Sequence, residues 1–148
     1  MSEFRYKTVL KQKRFNRDQL ASQLVSLRHQ LTDMQTELDQ LDAQHQEWMR
    51  LMTDASQPGI LRLPELLEYR RAISKTAAAR KAVKEEIDAL SANLAVREQE
   101  LLVANRSAQT FEKLEAQHQA EQCELEQRQE QRQLDEIAAI RDLAKRAA

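Results

Sequence analysis

Apolar residues recur along the first third of the chain at alternating intervals of four and three. They are Leu20, Leu24, Leu27, Leu31, Met34, Leu38 and Leu41, followed in the same rhythm by His45, Trp48 and Met52. A mean period of about 3.5 residues keeps one seam facing a partner helix and imposes a left-handed supercoil. A helix lying on a globule drifts toward 3.6 instead. A second seam follows with Leu66, Tyr69, Ile73 and Thr76, then, past Arg80, Val83, Ile87, Leu90 and Leu94. Past Arg97 it resumes with Leu101, Ala104, Ala108 and Phe111. No stretch shows the strict alternation of a strand.

Between the seams lies "SQPGILRLPE", residues 56 to 65, which holds Pro58, Gly59 and Pro64. These are both prolines and the only glycine in 148 residues. A globular domain of this length needs several such breaks, so one break predicts two helices. The pattern places helix 1 at about 5–54, a turn at 55–63 and helix 2 at about 64–146, as one domain over 1–148. Two seams joined by a short turn close on each other. The fold class is all-α, a long antiparallel two-helix coiled coil (an αα-hairpin) with an overhanging C-terminal helix.

Folding the chain about residues 59–60 brings Trp48 close to Tyr69 and Ile73, sets Phe15 against Val103 and carries Phe4 toward Phe111. The first arm is then exhausted at about residue 115. The sequence changes there. "HQAEQCELEQRQEQRQ", residues 118 to 133, has only Ala120, Cys123 and Leu125 as apolar side chains, as a helix without a neighbour should. Apolar residues then return as Leu134, Ile137, Ile140, Leu143 and Ala144. A stripe beyond any internal partner predicts an external one.

Composition narrows the function. Aromatics are only 4% of residues and charged residues 32%, which suits an elongated helical molecule better than a compact core. The formal net charge of −1 provides no global field to recruit nucleic acid or membrane. The apolar runs are too short to span a bilayer, and no signal-peptide pattern opens the chain. Cys123 stands alone, so no intramolecular disulfide forms, which suits a reducing cytoplasm.

No enzyme signature is present. His29, His45 and His118 lie far apart and are not spaced as a metal pair, and His45 occupies a seam position. Cys123 has no neighbouring His to activate it, and one glycine cannot build a phosphate loop. The expectation is a protein without catalytic residues, metal or cofactor.

Residues 5–17, "RYKTVLKQKRFNR", carry Arg5, Lys7, Lys11, Lys13, Arg14 and Arg17 with no acidic residue, interleaved with Tyr6, Val9, Leu10 and Phe15. Such a segment suits a solvated face, an acidic protein surface, nucleic acid or anionic lipid. The Ala-rich run "ISKTAAARKAV", residues 73 to 83, offers a slim surface for close helix approach. The tip, with Trp48, Leu51, Met52, Ile60, Leu61 and Leu63, is a second candidate contact surface.

"FRYKTVLKQKR" (Phe4, Arg5, Val9, Leu10), "PELLEYRRAI" (Leu66, Tyr69, Ile73) and "QLDEIAA" (Leu134, Asp135, Glu136) occur in that order. Together with the hairpin pattern they resemble the flagellar type III export protein family FliJ and its virulence-secretion counterparts, YscO or SctO. The likeness covers nearly the whole chain. It implies a cytoplasmic stalk, peripheral to the inner-membrane export apparatus, that inserts its two-termini end into the hexameric export ATPase and promotes its activity.

On that resemblance the ATPase-facing residues are Arg5, Lys11, Arg14, Leu134, Ile137, Ile140 and Leu143. The hairpin end faces the cytoplasmic ring of the export gate, through Leu41, Trp48, Tyr69 and Ile73; export chaperones are a further implied partner. The flagellar gate surface is marked by aromatic side chains, whereas Gln44, Ala72 and Thr76 occupy comparable places here. A virulence-type system is therefore as compatible as a flagellar one. The hairpin implies a monomer when free. The alternatives are a homodimeric coiled-coil scaffold, or a lipid or nucleic-acid binder acting through residues 5–17.

Overall fold

The computed structural model describes residues 4–59 and 62–148. They form two helices that pack against each other, α1 (Lys7–Ala55) and α2 (Leu63–Ala147), with no strand among the described residues. Ile60 and Leu61 of the anticipated tip surface lie outside the described residues. The chain divides into two units: a hairpin unit, Gln19–Leu101, and a terminal unit combining residues up to Asp18 with Leu102–Ala148.

In the hairpin unit the α1 seam runs without interruption from Leu20 to Ala55, each three- or four-residue step landing on a buried or half-buried residue. The α2 seam does the same from Leu66 to Leu101, with Leu24 and Val83 among the most deeply covered residues. Arg80 and Arg97 are part of this seam rather than breaks in it. Long basic side chains can lie along an apolar surface on their methylene stems and place the charge at the edge. Arg80 does so, and its guanidinium pairs with Asp42 of α1. Near the turn, Trp48 and Tyr69 meet with ring centroids 6.0 Å apart, as the spacing predicts.

One polar layer crosses the hairpin unit. His45 Nδ1 lies 2.9 Å from Thr76 Oγ1. The Thr76 hydroxyl is also within hydrogen-bonding distance of the Ala72 and Ile73 carbonyls, at 2.9 and 3.0 Å. A hydroxyl donating to its own helix leaves a lone pair for the ring N–H, so the buried oxygen is satisfied. A hydrogen-bonded polar pair in a mostly apolar seam favours a single register at some cost in stability.

The turn ends α1 by recapturing its last carbonyls. Ser56 Oγ donates to Met52 O at 2.7 Å, and Ser56 N donates to Thr53 O at 3.2 Å. Gly59 has a φ of 97°, in the left-handed region where a Cβ is strained, although nothing lies within 4 Å of the space it would fill. Pro64 sits in the first turn of α2, where its missing N–H has no intrahelical partner to lose.

In the terminal unit the shielded α1 positions start with Leu10, Lys13 and Arg17, and those of α2 include Ala104, Ala108 and Phe111. Leu10 is 1% exposed and Ala108 0%. Covering side chains as small as alanine this completely requires the two helices to approach closely. Phe15 and Val103, expected to meet, are instead 69% and 65% exposed. Phe15 lies midway between the seam residues Lys13 and Arg17, which puts it on the outer face of the helix.

Candidate functional site

The start of α1 lacks the usual electrostatic support. Its first turn has no acidic residue, and basic residues at a helix N-terminus oppose the macrodipole. Side-chain packing holds it instead. Phe4 packs against Tyr6 with centroids 5.9 Å apart and against His118 at 5.7 Å, while Tyr6 meets Phe111 at 6.0 Å. The sequence pairing gave Phe111 to Phe4; the structure gives it to Tyr6, two residues further along the chain. Arg5 sits over the Tyr6 ring at 5.8 Å.

The basic segment is partly neutralised within the chain. Arg14 donates to Glu112 at 3.0 Å and to Glu115 at 3.4 Å, and Arg17 donates to the same Glu112 oxygen at 3.3 Å. Hydrogen bonding to Arg14 holds the Glu112 carboxyl below its ordinary range, and the Glu112 carboxylate raises Arg14 in turn. Neither acidic partner stands out in the sequence, because both lie on α2 about a hundred residues away. Lys11 is exposed and points outward beside Phe15.

Past this collar the terminal unit changes character. Gln122 is the last shielded residue of α2, and every residue from Cys123 to Ala148 is exposed. Local pairs support the helix there: Arg128 with Glu124 at 2.7 Å and Gln131 with Asp135 at 3.0 Å. Such pairs add about 0.2–0.5 kcal/mol each to a helix. Lys145 and Arg146 in the last turn complement the dipole.

On this bare helix Leu134, Ile137, Ile140 and Leu143 are 60%, 49%, 65% and 66% exposed. Their spacing is three, three and three, so each step turns about 60° around the axis and the set spans about half the circumference. A stripe that wraps in this way does not match one straight helical seam. It matches a surface that curves around the helix.

The ATPase-facing residues inferred from the sequence thus fall into two groups. Arg5, Lys11 and Arg14 lie at the collar. Leu134, Ile137, Ile140 and Leu143 begin about 24 Å further along α2, measured from His118. The gate-facing set is placed differently. Leu41, Trp48, Tyr69 and Ile73 are half-buried seam residues of the hairpin unit. Exposed apolar side chains at that end are Leu63, which the sequence already places on the tip surface, and Met49 and Leu67, which the seam pattern passes over because they stand outside it.

Among the described residues no group of three or more His, Cys, Asp or Glu could hold a metal ion, and no helix is long and apolar enough to cross a membrane. Fold and surface together define an all-α helical hairpin whose second helix carries an exposed apolar stripe beyond Gln122. The chain belongs to the flagellar FliJ protein family, whose model it matches over residues 1–147. No curated protein and no solved structure matches it significantly.

Proposed function

We propose that the protein is a non-enzymatic stalk of a type III protein export apparatus on the cytoplasmic side of the membrane. In this reading the end bearing both termini enters the pore of the hexameric export ATPase and promotes its activity. Arg5 and Lys11 meet the ring's acidic rim, and Leu134, Ile137, Ile140 and Leu143 touch its inner wall. Arg14 shapes the collar through Glu112 and Glu115. The hairpin end meets the export gate, with Met49, Leu63 and Leu67 as contacts and Leu41, Trp48, Tyr69 and Ile73 shaping the surface beneath them.

The observation that carries this reading is the wrapped, exposed stripe at the end of a helix that no other part of the described chain covers. Family membership supports an export role. A stripe that covers half the circumference can contact several subunits of a ring weakly at once. That suits a shaft whose surroundings change with nucleotide state. Replacing Leu134, Ile137 and Ile140 together with Asp should abolish stimulation of the cognate export ATPase while circular dichroism stays unchanged. Full stimulation by a folded triple variant would remove the stripe from the mechanism.

A further inference from the structure

The two flanks of the hairpin unit are unlike. On one flank, charged side chains are matched across the helices: Arg28 with Glu98 at 2.9 Å, and Arg80 with Asp42. On the other flank the helices leave an open groove of about 640 Å³. Its floor is Met34 and Leu90, half-buried in the seam, with Ala89 beside them; its walls are Asp33, Glu37 and Glu86. None of these three carboxylates has an ion-pair partner among the described residues.

Glu37 and Glu86 come from opposite helices and line the same space, so like charge gathers over an apolar floor. Such a surface is best relieved by cations carried on an apolar body, because each contact then removes either repulsion or exposed hydrocarbon. The small Ala89 side chain leaves room for a helix to approach closely.

We propose that this groove docks one helix of a partner protein, basic and amphipathic, as a third helix against α1 and α2. Its apolar side chains lie on Met34, Leu90 and Ala89, and its Lys or Arg side chains reach Asp33, Glu37 and Glu86. None of these residues is assigned to the ATPase or the gate, so the groove stands or falls apart from the stalk reading.

The probe is a fluorescent 18-residue Leu/Lys amphipathic helix, titrated against the full chain by anisotropy. Binding should weaken about tenfold in E37K/E86K and in A89W, which blocks the groove at unchanged charge. The variant D39K/D88K, which changes net charge equally at exposed, unpaired positions outside the groove, should keep affinity within about threefold. A dye on Asn93→Cys, in a Cys123→Ser background, should respond to the bound peptide. If E37K/E86K loses helicity, E37Q/E86Q replaces it with a smaller loss expected in the same direction.

Equal weakening in D39K/D88K, full binding to A89W or a silent Asn93→Cys label would overturn the proposal. So would equal binding of a scrambled, non-amphipathic peptide of the same composition. Concentration-dependent self-association abolished by E37K/E86K would make a second copy of this chain the occupant, and would overturn it as well.

Discussion

Helix α2 is held together in two ways along its length. From Leu66 to Gln122 a buried or half-buried residue recurs at alternating steps of three and four, most of them apolar. From Cys123 to Ala147 the helix continues with every residue exposed, supported by good helix formers and by local pairs such as Glu124–Arg128. Both stretches contain leucines and isoleucines. Spacing, more than apolar content, separates them: the 3.5-residue rhythm makes a seam, and the constant three-residue step of Leu134 to Leu143 makes a wrapped stripe. The first is consumed by folding. The second is left for something else.

Substitutions on either side of this divide should behave oppositely. Leu24→Ala in the seam should destabilise by about 2–4 kcal/mol, read by urea unfolding. A loss below 1 kcal/mol would mean that the α1 seam is not the core. Ala108→Leu, at a site with no exposure, should cost about 1–3 kcal/mol through overpacking. Thr76→Val should cost about 1 kcal/mol by leaving the His45 ring N–H without its hydroxyl.

The Leu134, Ile137 and Ile140 triple Asp variant should leave the unfolding midpoint within experimental error. A clear drop would show that the stripe is packed after all. Acid supplies the mildest perturbation. The Glu112 carboxyl is depressed by Arg14, so its contribution is complete above the ordinary carboxylate range and fades as pH falls through its lowered value. Amide protection factors around Leu10 to Arg17, taken relative to the intrinsic exchange rate at each pH, should therefore fall in acid, and Glu112→Gln should blunt that response.

Much of the fold was legible because a heptad seam is a one-dimensional signal. The leucine ladder marked α1, and the lone Gly59 with Pro58 and Pro64 marked the turn. Trp48 and Tyr69 pair as their positions imply. What could not be read was phase around the helix. Phe15 was matched to Val103 by distance from the turn alone, but both face away from the seam. Arg80 and Arg97 looked like interruptions because polarity hides a side chain whose stem is packed and whose end is not. The pairing of Arg14 with Glu112 and the groove over Met34 and Leu90 arise only once two distant stretches lie side by side.

The layer of His45 and Thr76 also bears on how the chain finds this arrangement. These two residues are 31 apart in sequence, whereas Arg14 and Glu112 are 98 apart. Closing the shorter loop loses less chain entropy, so pairing should begin beside the turn and zip outward. If it zips one heptad out of step, His45 faces Val83, which has no polar atom, or Tyr69, whose hydroxyl stands at the far end of a ring and cannot also donate to its own helix's carbonyls as that of Thr76 does. The layer thus serves as an early proofreading mark, admitting one alignment before the outer turns commit.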